Sequence, residues 1–211
     1  MATQSSSQTG IVLIDPYNDF LHHDGKLNPA VRESLTTTDT NKHLKTLVDA
    51  ARDLHIPIFY AMHQEWKEGN YQGWSHLSTS NSRLNMAKAF EKGTWGAKFL
   101  EGLEPDVLGN GDVVASKHWN SSGFVNTDLN YQLRQRGITH LVMAGMVANT
   151  CLESTARDAR ELGFHVTLLS DGTAGFTGAQ KDAATDLIWP LIVEKVMKVD
   201  EWVKEARQSQ S

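Results

Sequence analysis

Ile11-Val12-Leu13-Ile14, followed at once by Asp15-Pro16, is the stretch of sequence that decides the fold. The run is continuously apolar and mostly β-branched, which is typical of a strand buried on both faces of a parallel sheet. The Asp15-Pro16 pair predicts the end of this strand. We therefore expect a sheet that helices cover on both faces.

Runs of the same kind recur along the chain. Four more buried strands are predicted at 56–61, 112–116, 140–144 and 166–169, and a sixth, more polar edge strand at 194–199. Apolar residues at helical spacing predict helices between them, over about 44–54, 129–133, 152–162 and 180–189. This alternation predicts a three-layer α/β fold, with a doubly wound, mostly parallel sheet of about six strands and helices on both faces.

The domain organisation is simple, because no linker-like segment divides the 211 residues. We expect a disordered N-terminal tail at 1–9, one domain over 10–204 and a flexible C-terminal tail at 205–211. The least regular segment, 62–111, is too long for a bare connection, so it is predicted to hold a helix and a lid. Its tryptophans suit the core, a dimer interface or a pocket.

Charge and composition exclude several classes of partner. The net charge of -5 gives no electrostatic reason to bind nucleic acid. No apolar run is long enough to span a bilayer, so no membrane partner is expected. The N-terminus lacks a basic start and an apolar stretch, which favours a cytoplasmic location and leaves export without a cleaved signal open.

Three polar residues follow predicted strands, namely Asp15, Lys117 and Cys151. Ligands of open α/β sheets bind beyond the carboxyl ends of the strands, so these residues are candidates for one site. An acid, a cation and the one cysteine of the chain suit a thiol nucleophile. Singly, each also suits a structural role, as a turn residue, a solvated strand end or a small buried side chain.

The residues before the cysteine predict its local environment. Asn149 and Thr150 are good helix N-caps, so Cys151 is expected at a helix N-terminus, where the macrodipole favours the thiolate. Backbone amides at such a position can also bind the oxyanion of a tetrahedral intermediate.

Several blocks of the chain resemble those of one family. Ile-Asp-Pro-Tyr-Asn-Asp-Phe at 14–20, Ser-Lys-His-Trp-Asn-Ser-Ser-Gly-Phe at 116–124 and the segment 145–159 around Cys151 resemble the three signature blocks of the isochorismatase-like, or cysteine hydrolase, superfamily. Gly-Thr-Trp-Gly at 93–96 and Asp-Gly-Thr-Ala-Gly-Phe at 171–176 resemble two further blocks. The resemblance spans nearly the whole chain.

The resemblance implies a catalytic triad of Asp15, Lys117 and Cys151. It also implies a non-proline cis peptide between Met146 and Val147, which would aim the amides of Val147 and Cys151 at an oxyanion. The implied reaction hydrolyses a small amide or carbamoyl compound through a thioester on the cysteine. A homodimer or homotetramer is expected, with the aromatic-rich stretch 62–100 as one contributor to the contact.

Two positions depart from the family pattern. Nicotinamidases of the superfamily bind a metal through an Asp-x-His pair and another histidine, but the corresponding stretch here is Ala61-Met62-His63. Because the carboxylate is missing, we predict no metal, and no other cofactor is expected. His63 suits either a substrate contact or a structural role. Tyr17 stands where the family usually has Gln or Asn.

The substrate and even the reaction type stay open at this point. Candidate pocket residues suggest a flat or small apolar substrate, which suits an aromatic amide and isochorismate alike; they are Phe20, His63, Trp95, Trp119 and Phe124. An alternative reaction is isochorismatase cleavage of a vinyl ether to pyruvate and 2,3-dihydroxy-2,3-dihydrobenzoate, with Asp15 as general acid and no need of a thiol.

Two classes of protein other than hydrolases share features with this chain. A non-catalytic binding or redox-sensing protein would tolerate an exposed cysteine, although it would have no need of the acid. A dinucleotide-binding oxidoreductase is excluded, because no Gly-x-Gly-x-x-Gly follows the first strand.

Overall fold

The computed structural model describes residues 8–210. Most of the predicted N-terminal tail therefore lies outside the described residues. Thr9, which that prediction placed in the tail, already belongs to the first strand.

The described residues form one six-stranded sheet whose neighbouring strands are all parallel. The strands are β1 (Thr9–Ile14), β2 (Ile58–Ala61), β3 (Val113–Val114), β4 (His140–Gly145), β5 (His165–Leu169) and β6 (Lys195–Met197). Their order is β3-β2-β1-β4-β5-β6. The winding therefore changes direction between β1 and β4, and the predicted doubly wound α/β fold is confirmed, with the polar sixth strand at an edge.

The described chain has nine α-helices, of which eight lie between strands and the last follows β6: α1 (Asn18–Leu21), α2 (Asn28–Thr38), α3 (Thr40–Asp53), α4 (Thr79–Ala87), α5 (Leu129–Gln135), α6 (Glu153–Glu161), α7 (Gly178–Asp182), α8 (Trp189–Ile192) and α9 (Val199–Gln210). Two π-helical turns, Ala148–Leu152 and Ala183–Ile188, precede α6 and α8. Sequence analysis found the helices α3, α5 and α6, the segment that begins with α7 and, as α4, the helix expected within 62–111, but it missed α1, α2 and α9. None of the helices described is long and apolar enough to cross a membrane.

The C-terminal segment differs from its prediction as a flexible tail from residue 205. Helix α9 continues to Gln210, because Trp202 and Val203 are buried and Ala206 packs against the same core. These apolar side chains recur at helical spacing, so they anchor the helix against the sheet face that α3 also covers.

The core lies in two layers, one on each face of the sheet. Alternate residues of β1 point to opposite faces, with Ile11 and Leu13 in one apolar cluster and Val12 and Ile14 in the other. Burial on both faces explains why the strand sequence is continuously apolar. The ends of β1 and β4 are thereby fixed side by side.

Candidate active site

Asp15 lies at the carboxyl end of β1, beside the end of β4, where the winding of the sheet reverses. Open α/β sheets bind ligands in the crevice at such a switch point. The side chain is fully buried, and the backbone adopts a φ of 50°, in the left-handed region that few non-glycine residues occupy. The backbone amide of His63 donates to Asp15 Oδ1 at 2.5 Å, whereas Oδ2 has no hydrogen-bond partner among the described residues.

Cys151 lies in the π-helical turn that follows β4. The peptide bond between Met146 and Val147 is cis, as predicted. The carbonyl oxygen of Val147 accepts from the amides of Thr150 and Leu152, at 3.1 and 3.3 Å, which fixes the turn. Within residues 8–210 the amide of Val147 itself donates to no protein acceptor, so it is available to a ligand.

The electrostatic environment of Cys151 differs from the prediction of a favoured thiolate. Burial raises the pKa of the thiol well above its ordinary value, and the negative charge of Asp15 raises the pKa further. Hydrogen bonds with the Thr150 side chain and the Val147 backbone lower the pKa, but by less than these effects raise it. The prediction was therefore wrong for the free protein, which holds a protonated thiol beside a carboxylate able to accept its proton.

Lys117 forms its ion pair with Glu65 rather than with Asp15. The pair is about a quarter exposed, at 28% for Lys117 and 25% for Glu65. The Lys117 ammonium also lies 5.9 Å from the centre of the Tyr17 ring, and the Tyr17 hydroxyl donates to the backbone oxygen of His63 at 2.7 Å. Sequence analysis missed Glu65, although its position shortly after β2 is a signal of the kind that identified Asp15.

His118 is a second residue of the site that sequence analysis missed. Its Nε2 atom lies 3.3 Å from Asp15 Oδ1, and both side chains are almost completely buried. Burial is the largest single effect and opposes charging of the ring, but the charge of Asp15 and hydrogen bonding to Asp15 and to the Asn120 backbone together outweigh it and raise the pKa of His118. His118 directly follows Lys117 in the extended segment after β3, where successive side chains point in opposite directions, and this position could have identified it as a candidate.

His63 is the predicted pocket residue that reaches Asp15, and it does so through its backbone amide. Its ring is buried, with Nδ1 2.9 Å from the backbone oxygen of Gln64 and the ring centre 5.2 Å from that of His118. Burial lowers the pKa of His63, against the opposing effect of Asp15. The His63 ring is therefore neutral at neutral pH.

The four aromatic candidates divide into two groups. Phe20 and Phe124 are buried in the two apolar clusters, and Phe124 packs against Phe164 with ring centres 5.9 Å apart. These two side chains pack in the core, and their role as substrate-binding residues stays a prediction. Trp95 is 45% exposed. Trp119 is partly exposed and packs against Trp74, with ring centres 5.3 Å apart.

Potential metal ligands come together at one place in the described range 8–210. One group of three has ligand atoms close enough together to share an ion, and it consists of His22, His23 and Asp24 between α1 and α2. His23 and Asp24 are exposed, and the three residues already interact with one another. At the end of β2, Ala61 offers no ligand where nicotinamidases were expected to have a carboxylate.

Comparison with known proteins places this chain in a family. The family model of the isochorismatase domain matches residues 9–201. A ureidoacrylate amidohydrolase, RutB, of Agrobacterium fabrum is 30% identical over 181 residues, covering 81% of this chain and 78% of the relative. The chain therefore belongs to the isochorismatase family, and it is a hydrolase.

Solved structures share the fold at lower identity. A cysteine hydrolase from Pseudomonas syringae pv. phaseolicola has a TM-score of 0.77 at 20% identity, covering 99% of this chain and 97% of that one. N-carbamoylsarcosine amidase from Thermoplasma acidophilum has a TM-score of 0.63 at 22% identity, covering 90% and 95%. These likenesses agree with the three-layer fold described above.

Proposed function

We propose that this protein is a cysteine amidohydrolase that cleaves the C–N bond of a small amide or carbamoyl compound through a thioester at Cys151. One observation carries the proposal. At the switch point of the sheet, the protonated thiol of Cys151 interacts with the buried carboxylate of Asp15, whose Oδ2 atom has no hydrogen-bond partner among the described residues. The names of two similar proteins support it, since one acts on ureidoacrylate and the other on N-carbamoylsarcosine.

In the acylation half of the reaction, Cys151 Sγ attacks the carbonyl carbon while Asp15 accepts the thiol proton. The carbonyl electron pair moves to oxygen, and the amides of Val147 and Cys151 hold the resulting oxyanion. When the intermediate collapses, the C–N bond breaks. The leaving nitrogen takes the proton from Asp15, so ammonia or an amine departs and a thioester remains.

In the deacylation half, a water molecule attacks the thioester carbon and Asp15 accepts one of its protons. The C–S bond then breaks, the acid is released, and the sulfur recovers a proton from Asp15. Lys117 supplies a positive charge at the rim of the site, where its ion pair with Glu65 holds the ammonium above Tyr17. We propose that it stabilises negative charge on the substrate during both halves.

The test separates this reaction from vinyl-ether hydrolysis. Ammonia release from a panel of ureido acids, carbamoyl amino acids and nicotinamide, and pyruvate release from isochorismate, are measured for wild type, Asp15→Ala and Cys151→Ala. Ammonia release that both substitutions abolish supports the proposal. Pyruvate release that survives Cys151→Ala and is lost in Asp15→Ala contradicts it, because vinyl-ether protonation needs the acid alone.

We also propose that the protein acts as a homodimer or homotetramer in the cytoplasm. The stretch 62–100 exposes several large apolar side chains, including Trp74, Leu77 and Trp95, which suit a contact between copies. Light scattering during size-exclusion chromatography tests this assembly directly. A mass corresponding to one 23.4 kDa chain would contradict it.

A further inference from the structure

The buried carboxylate of Asp15 needs a compensating positive charge, because an unpaired buried charge is strongly disfavoured. Lys117 is the cation that sequence analysis named for this site, but it is paired with Glu65. Among the described residues, His118 is the one whose basic nitrogen lies within 4.0 Å of an Asp15 oxygen, at 3.3 Å. The candidate partner of Asp15 is therefore a histidine.

The other ring nitrogen fixes the hydrogen positions of His118. Nδ1 lies 2.7 Å from the backbone oxygen of Asn120. A carbonyl oxygen only accepts hydrogen bonds, so Nδ1 carries a hydrogen. A neutral ring would then place the bare lone pair of Nε2 against the Asp15 carboxylate. A proton between Nε2 and Oδ1 turns this repulsive contact into an attractive one, and imidazole is ordinarily the stronger base of the two groups, so the proton is assigned to Nε2.

We propose that His118 is a positioning residue held as an imidazolium, whose charge pairs with Asp15 and leaves Asp15 Oδ2 free to accept the Cys151 proton. The proposal rests on the proposed function for the role of Asp15 as the base. It assigns the cation beside Asp15 to His118 and leaves Lys117 to act at the rim.

The charges around His118 agree with this assignment. The groups that face it are Asp15, the neutral ring of His63 and the backbone oxygen of Asn120. On the neighbouring elements, Cys151 is uncharged at neutral pH, and the Lys117 and Glu65 charges balance each other. After the thiol proton moves to Asp15, the imidazolium is the charge that balances the new thiolate within the buried site.

The test uses the purified wild-type protein, His118→Gln and a control, with no substrate. Rates of Cys151 alkylation by iodoacetamide are measured from pH 6 to 10. The glutamine side chain of the variant is neutral at every pH, so we expect the rising part of the alkylation profile to be displaced upward by about one pH unit and the rate at neutral pH to fall roughly tenfold. His140→Gln is the matched control, because His140 lies at the opposite end of β4, stacked on His165.

A profile for His118→Gln that superimposes on that of wild type would overturn the proposal, since a purely structural role does not move the thiol titration. Nitrogen-15 NMR of the wild-type histidines is the second measurement and does not depend on how the variant folds. We expect both ring nitrogens of His118 to be protonated at pH 7, and a neutral ring there would also overturn the proposal. If His118 behaves as expected but no amide is hydrolysed, the proposed function fails and the charge assignment stands.

Discussion

Asp19 is a buried carboxylate in α1 that anchors the backbone at Phe90, next to Tyr17 of the site. Its Oδ2 accepts from the Phe90 amide at 2.7 Å, and its Oδ1 accepts from the Lys26 amide at 3.1 Å. Phe90 in turn stacks on Tyr17, with ring centres 4.3 Å apart. Asp19→Asn keeps the shape but offers a single acceptor oxygen, so one backbone amide faces an NH₂ group instead.

The variant loses a hydrogen bond to a charged group and leaves a buried donor unsatisfied, which together lower the free energy of unfolding by about 2–4 kcal/mol. For a domain of this size the corresponding fall in Tm is roughly 5–15 °C. Calorimetry of Asp19→Asn against wild type measures it. The control is Asp182→Asn, which changes a mostly exposed carboxylate and is expected to stay within about 0.5 kcal/mol of wild type. An unchanged Tm for Asp19→Asn would refute the reasoning.

Three further predictions concern residues around the sheet ends. Gly145→Ala is expected to prevent stable folding, because Gly145 has a φ of 115° and a Cβ there would overlap the Ile14 carbonyl oxygen. Soluble yield and circular dichroism measure the effect. The control is Gly137→Ala, because Gly137 also has a positive φ but its surroundings are open. Glu65→Gln is expected to change the free energy of unfolding by less than about 1 kcal/mol, since its ion pair with Lys117 is partly exposed to solvent, and a urea titration would expose a larger effect. The pKa of His118 is raised above 6.5, so the stability from its charged form is complete below about pH 6.5 and is lost as pH rises through the raised value. Over that pH range the Tm of His118→Gln should therefore fall less steeply than the Tm of wild type. Parallel curves of Tm against pH for the two proteins would contradict the assignment.

The backbone of this fold could be read from the sequence because burial on both faces leaves a continuous apolar run. Ile11–Ile14 and the strand at 140–145 are such runs, and their parallel pairing follows from the helices between them. The short strand β3 was predicted over 112–116 but spans only Val113–Val114, because it pairs with β2 alone at the edge of the sheet.

The positions of the candidate site residues followed from the same pattern, since each lies just beyond a strand end. The partners of their side chains could not be predicted in this way, because they depend on the direction in which each side chain points, which the sequence does not specify. Lys117 and His118 are adjacent in sequence, yet one lies over Tyr17 at the rim and the other faces Asp15. The pKa of Cys151 was misjudged for a related reason, since burial depends on packing from distant parts of the chain.

The thioester at Cys151 is the central claim, and trapping it is the most direct test. The enzyme is mixed with a ureido or carbamoyl substrate that it turns over, quenched in acid during turnover, and analysed by intact-mass and peptide mass spectrometry. We expect an adduct equal to the substrate's acyl portion, located on Cys151 and absent from Cys151→Ala. Full turnover by Cys151→Ala, with no adduct on the wild-type enzyme, would contradict the account.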